Sequence, residues 1–227
     1  MAYELVIGNK NTSSWSLRPW LAMRRIGVPF REINIDLRAH DAKEQILRYS
    51  PSGKVPALLV DFPSKPKHVI WDSLAILEFL AEVHPEASLW PRAAEARAMA
   101  RSLAAEMHSG FQALREHCPM DFVGRAPMAG LPEPVAVDVR RVIALWQGCR
   151  GQLGTSGPFL FGGFSVADAM YAPVASRFRT YLPDLSPFGD DGTAQAYVET
   201  LFSMPEMAAW DQGARLEIAA TQGRATG

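Results

Sequence analysis

"NKNTSSWSLRPW", residues 9–20, lies between a short apolar run, "YELVIG" (3–8), and an apolar helical pattern. Thr12, Ser13 and Ser14 are three consecutive hydroxyls at the helix start, and Ser16 adds a fourth. One N-cap satisfies a helix start. The others are either spare polar loop residues or groups with a ligand. Their position favours a ligand on general grounds, because α/β layers bind ligands at the carboxyl ends of their strands. A helix N-terminus there presents unpaired N–H groups and the positive end of a dipole. A hydroxyl beside it could donate to an anion such as a thiolate. Moving a thiol pKa from about 8.5 to about 6.5 requires roughly 2.7 kcal/mol. One charge-assisted hydrogen bond (~1.5–3 kcal/mol) and a helix terminus (~0.3–1 kcal/mol) together supply most of that.

Working outward, the pattern alternates strand and helix as far as residue 83. "SLRPWLAMRRIG" (16–27) predicts a helix closed by Gly27, and "FREINIDL" (30–37) reads as a strand. "AKEQILRYS" (42–50) predicts a short helix. "VPALLVD" (55–61) and "HVIWD" (68–72), separated by the polar turn "FPSKPK", predict an antiparallel hairpin. "SLAILEFLAEV" (73–83) is an amphipathic helix. The order βαβ, α, ββα makes a small α/β sandwich.

"HPEASLWP" (84–91) breaks the pattern with two prolines, and only helical patterns follow. Residues 92–117 carry Met99, Leu103, Met107, Phe111 and Leu114 at helical spacing, and the proline-rich 119–134 reads as a loop. Helices are expected over 135–153 and 165–179, with shorter ones near 192–203 and 205–219, and the final "TQGRATG" is expected to fray. Two domains follow: residues 1–83, a linker at 84–91, and an all-helical domain over 92–227.

The bulk numbers exclude several classes. A net charge of −1 gives no field that would favour nucleic acid or an anionic membrane. No apolar stretch approaches the roughly 20 residues needed to cross a bilayer. The opening "MAYELVIGNK" reads as a strand and not as a signal peptide. The two cysteines, Cys118 and Cys149, make neither a disulfide framework nor a metal motif, so a cytoplasmic protein without a metal is expected. Cys149 falls on what reads as the polar side of its helix.

Three further motifs bear on chemistry. Pro56 cannot donate to a strand ladder, so Val55-Pro56 marks a strand end. If that bond were cis, Val55 could offer its backbone to a peptide-like ligand; an ordinary trans strand start is the alternative. At a strand-to-helix junction, Asp72 and Ser73 either cap the helix or recognise an amino acid headgroup. In the second reading Ser73 holds the carboxylate and Asp72 the ammonium. Ser165 and Asp168 form a capping box before an apolar helix interrupted by Pro173, which should kink it. His108 sits beside Met107 on a helix and reads as a facing or core residue.

Taken in order and spacing, "TSSWSLRPWLA", "SPSGKVPALL", "WDSLAILEFLAE" and "FSVADAMYAP" resemble the cytosolic glutathione transferase superfamily over nearly the whole chain. The resemblance implies an α/β thioredoxin-like N-terminal domain plus an all-α C-terminal helical domain, usually in a homodimer. A serine before the first helix is similar to the Ser-type classes. "SSWSLR" is most similar to the "SSCSWR" stretch of the zeta class, which includes maleylacetoacetate isomerase. By that match Ser13 is the catalytic serine, five residues before Arg18, and Ser14 is its neighbour able to touch glutathione. Trp15 stands where zeta proteins carry a cysteine. The resemblance further implies that Val55, before a cis Pro56, pairs with the cysteinyl part of glutathione. Lys54 would reach the glycyl carboxylate, and Asp72 and Ser73 would hold the γ-glutamyl headgroup. Glutathione is then the co-substrate and a small electrophile the second substrate, seated between the domains against Met107, His108 and Phe111. Glutathione-dependent cis–trans isomerisation of a small unsaturated diacid and a non-catalytic glutathione-binding module are the alternatives. Surplus hydroxyls aside, Ser14 or Ser16 is expected to cap the first helix.

Overall fold

A computed structural model of the chain describes residues 1–153 and 157–225. The N-terminal part runs β1 (Ala2–Ile7), α1 (Ser14–Arg25), β2 (Arg31–Asn34), α2 (Ala42–Leu47), β3 (Ala57–Asp61), β4 (His68–Trp71) and α3 (Ser73–Val83). The sheet order is β2-β1-β3-β4, with β2 parallel to β1 and β3 and β4 antiparallel. The expected hairpin is therefore present, in the register Leu59 opposite Val69. Strand alternation splits the core into two. Leu5, Ile7, Leu58 and Val60 face α1 and α3, while Val6, Ala57 and Leu59 face Ile46 of α2. Gly27, at φ +73°, ends α1 as expected, a conformation glycine adopts without a Cβ clash.

The C-terminal part is helical: α4 (Ala94–Ser109), α5 (Gln112–His117), α6 (Glu133–Gln152), α7 (Val166–Tyr181), α8 (Thr193–Phe202) and α9 (Pro205–Ala225). A thioredoxin-like sheet-and-helix domain thus precedes a helical one. α7 is buried on nearly every face and packs against α1 and α4. Its capping box forms. The Ser165 N–H and Oγ both donate to Asp168 Oδ2, and Oδ1 takes the Leu160 N–H and the Tyr197 hydroxyl. Burial raises the Asp168 pKa, and these four donors oppose the shift.

Several expectations are corrected. The 92–117 pattern is two helices, because Phe111 sits at φ +56° after Gly110 and turns the chain between them. The strand at 30–37 shortens to four residues. Cys149 lies on the buried face of α6, not its polar side, and Met99 is 43% exposed. α9 is long and continues through most of "TQGRATG"; residues 226 and 227 of that segment lie outside the described residues.

Candidate functional site

The loop of residues 8–13 leaves β1 and delivers Ser13 to the N-cap position of α1. No side chain caps this helix, which corrects the expectation for Ser14 and Ser16. The helix begins two residues earlier than its pattern suggested, so Ser16 is already inside it. Its Oγ accepts the Gly8 N–H at 3.0 Å and lies 2.7 Å from Ser13 Oγ. Among the described residues, the N–H groups of Trp15 and Ser16 have no acceptor. The α1 terminus therefore keeps two free backbone donors.

Two cavities flank this terminus. The first, about 620 Å³, is lined by Trp15, Ser52, Lys54, Val55, Pro56, Trp71, Asp72, Ser73 and Arg115. It gathers four of the six expected site residues. Val55-Pro56 is cis, and the Val55 N–H and C=O are unpaired among the described residues. Asp72 caps α3 through Oδ1, which accepts from Leu74 N at 2.8 Å and Ala75 N at 3.3 Å. Its backbone is held at φ +79°, which costs a non-glycine residue about 1–3 kcal/mol. Asp72 Oδ2 lies 3.2 Å from His108 Nε2, so His108 faces the site across the domain boundary and is not a core residue. Ser73 is fully buried and its Oγ accepts from Arg18 Nη1 at 3.2 Å, leaving the hydroxyl proton available.

The second cavity, about 480 Å³, is lined by Ser14, Thr12, Trp15, Arg115, Met120, Arg177 and neighbouring residues of α5. Its wall is α5 and the start of the 119–134 loop. Met107 and Phe111, expected against the electrophile, are instead buried in the core. Ser13 lines neither cavity. It is buried, with Oγ turned to Ser16.

Sequence reasoning placed Arg18 five residues after Ser13 but gave it no role, and it missed Arg115 and Arg177. Arg18 is 1% exposed, stacks on Trp15 with its guanidinium carbon 4.1 Å from the ring centre, and has an unpaired Nε. Burial, aided by Arg115 and Arg177, lowers its pKa to about 9. Arg115 lies 4.7 Å from the Trp15 ring centre, and burial lowers its pKa too. Arg177 donates to the Cys118 and Pro173 carbonyls, and burial brings its pKa to about 10. All three remain charged at neutral pH. Helix arginines usually read as solvated; here Arg18 and Arg115 lie against the Trp15 ring, and Arg177 is turned to the Cys118 and Pro173 carbonyls. The thiols contribute nothing here. Both are buried, and burial pushes Cys149 up to about 11 and also raises Cys118. No metal-binding group of His, Cys, Asp and Glu occurs among the described residues, and none of their helices is long and apolar enough to cross a membrane.

A thioredoxin-like domain with a cis-proline cavity beside a free helix terminus is here joined to a helical domain. The family models described as glutathione S-transferase N-terminal domain and C-terminal domain match residues 12–83 and 92–210. The chain belongs to the glutathione S-transferase family. Among similar proteins is a probable maleylacetoacetate isomerase of Caenorhabditis elegans, 29% identical over 199 residues and covering 86% of each chain. The maleylacetoacetate isomerase of Rattus norvegicus is 28% identical over 182 residues, 79% of each chain. Among solved structures, a glutathione transferase homolog from Burkholderia with bound glutathione superposes with a TM-score of 0.68 at 20% identity, over 95% of this chain and 98% of that one. An epsilon-class glutathione S-transferase from Musca domestica gives 0.69 at 20% identity, over 97% of both.

Proposed function

We propose that the chain is a glutathione transferase that binds glutathione in the first cavity and ionises its thiol at the α1 terminus for attack on a small electrophile. The observation that carries this is the uncapped α1 N-terminus beside a cavity that already assembles Lys54, Val55, Asp72 and Ser73. The unpaired Val55 backbone would take the cysteinyl part of glutathione. The Ser73 hydroxyl and the Ser73 backbone N–H, which the Asp72 cap does not occupy, would hold the γ-glutamyl carboxylate, and Asp72 its ammonium. Lys54 would pair with the glycyl carboxylate. Ser16 takes the Gly8 N–H and can donate to Ser13, which frees the Ser13 proton for the sulfur. Ser14 faces the electrophile side. Calorimetric titration with glutathione tests the site. Binding that weakens at least tenfold in Ser73→Ala supports it, and no binding to the intact protein refutes it.

A second reading is favoured by one feature, the two arginines in the wall of the second cavity, set against its one carboxylate, Glu116. Arg115 and Arg177 suit a carboxylate, as glutathione-dependent cis–trans isomerisation of an unsaturated diacid requires, and relatives are named as maleylacetoacetate isomerases. Direct assay with a cis-unsaturated diacid against a neutral aryl halide separates the two. The open cavities on both sides of Trp15 count against a non-catalytic module. The family's usual homodimer and a cytoplasmic setting complete the proposal, and sedimentation tests the dimer.

A further inference from the structure

The residues before the hydroxyl cluster, Asn9, Lys10 and Asn11, have no part in the proposed chemistry, yet each is fastened to a different element. The Asn9 carbonyl accepts the N–H groups of Thr12 and Ser13, at 3.1 and 2.8 Å, and closes the turn that carries Ser13. Its side chain ties the turn to the end of β2, bonding the Leu37 N–H and Asp36. Asn11 is bound by the helical domain. Its carbonyl and Oδ1 accept from Phe122 and Val123, and its Nδ2 donates to Asp121.

Lys10 is held by α9 on both sides of its backbone. Its N–H donates to Glu217 Oε2 at 2.7 Å, and its carbonyl accepts the Trp210 Nε1–H at 2.8 Å. Its ammonium is buried, paired with Glu32, and lies 5.9 and 5.6 Å from the ring centres of Trp20 and Trp210. Gly213 makes room for this passage: a Cβ there would lie 2.6 Å from Lys10 Cδ. Local hydrogen bonding from Asn9 alone would leave a polar surface turn free to shift. Two bonds from one helix to consecutive backbone groups of a single residue fix its position and its peptide orientation.

We infer that α9 is a strut for the serine turn, and that Trp210 and Glu217 are positioning residues that set where Ser13 stands relative to the glutathione sulfur. This rests on the proposed thiol chemistry, with the strut itself observable apart from it. A displacement on the order of 1 Å at a reacting group costs about a hundredfold in rate, so even a partial release of Lys10 reaches the chemistry.

The test compares Glu217→Ala, Glu217→Gln and Trp210→Phe in the full chain, with the intact protein as reference. Two readouts are taken: hydrogen exchange of the Thr12 and Ser13 amides without ligand, and the ultraviolet thiolate absorbance of bound glutathione against pH. In Glu217→Ala the two amides exchange about tenfold faster, kcat falls about tenfold, and KM for glutathione moves less than about twofold. The thiol pKa rises. Glu217→Gln, whose amide oxygen still accepts from Lys10, recovers most of both effects. Trp210→Phe repeats Glu217→Ala while keeping the ring packed. Unchanged exchange in folded Glu217→Ala and Trp210→Phe overturns the strut. Faster exchange with an unmoved thiol pKa overturns its link to Ser13, and equal effects of Ala and Gln would assign the effect to charge and overturn positioning. An intact protein with no thiolate signal refutes the thiol reading alone, and the exchange data still decide the strut.

Discussion

Ser13→Ala removes one hydroxyl from a buried site whose helix has no side-chain cap to lose, so its structural cost is confined to the Ser13–Ser16 hydrogen bond. That bond is worth about 0.5–1.5 kcal/mol. The larger effect falls on glutathione. A hydrogen bond to a charged group contributes about 1.5–3 kcal/mol, and each pKa unit corresponds to about 1.4 kcal/mol. The bound thiol pKa should therefore rise by about one to two units. At pH 5.5, below both the parent value of about 6.5 and the raised one, the thiolate fraction falls by roughly 10- to 100-fold, following the same units. A more basic thiolate is also a better nucleophile. With a Brønsted coefficient of about 0.4–0.5, this returns roughly three- to tenfold per ionised molecule. The two effects give the variant a distinctive profile: slower than the parent at acid pH, and equal or faster above about pH 9, where both thiols are ionised. Thiolate absorbance and kcat/KM measured from pH 5.5 to 10 would show the shifted curve and the crossing. A folded variant with an unshifted thiol pKa would refute the role of Ser13, and the same shift in Ser14→Ala alone would transfer it to Ser14.

Asp72→Asn keeps an acceptor for the α3 N–H groups but loses the charge, so KM for glutathione should rise about tenfold while thermal stability barely changes; Asp72→Ala should additionally cost about 1 kcal/mol from the lost cap. Equal KM in the Asn variant and its parent would remove Asp72 from ammonium binding. Arg115→Gln should lower kcat/KM for a carboxylate-bearing electrophile by about 10- to 100-fold and leave a neutral one within about threefold. Equal losses on both would show that the cation acts on glutathione instead. Asp168→Asn sets an NH2 group against donors from Ser165, costing about 1–3 kcal/mol. At about 2–4 °C per kcal/mol for a chain of this size, Tm should drop by roughly 2–12 °C, as calorimetry would read.

The N-terminal architecture was legible because its strands are short apolar runs bounded by turn formers, apolar on both faces because both faces are covered. Leu5 and Ile7 go one way and Val6 the other, and the proline and asparagine–glycine-poor turn "FPSKPK" still separates two hairpin strands. The break at Gly110-Phe111 was not legible, since Phe111 keeps the apolar spacing of α4 while its backbone leaves the helix. In the site, Val55 sits where the chain enters β3, and Asp72 and Ser73 where it leaves β4 for α3, all positions that local signals mark. The role of Ser16 turned on a two-residue difference in where α1 begins, which is within the fraying of any pattern-based boundary. Arg18, Arg115 and Arg177 come from three helices, and Arg18 and Arg115 meet on the Trp15 ring, so no local pattern joins them.

The central claim is that glutathione lies in the first cavity with its sulfur at the α1 terminus. A crystal structure with bound glutathione tests it most directly. The account predicts the cysteinyl backbone paired with Val55, the γ-glutamyl carboxylate on Ser73, and the sulfur within hydrogen-bonding reach of Ser13 Oγ. Glutathione seated outside this cavity, or seated in it with the sulfur directed away from Ser13 and the free N–H groups of Trp15 and Ser16, would contradict it.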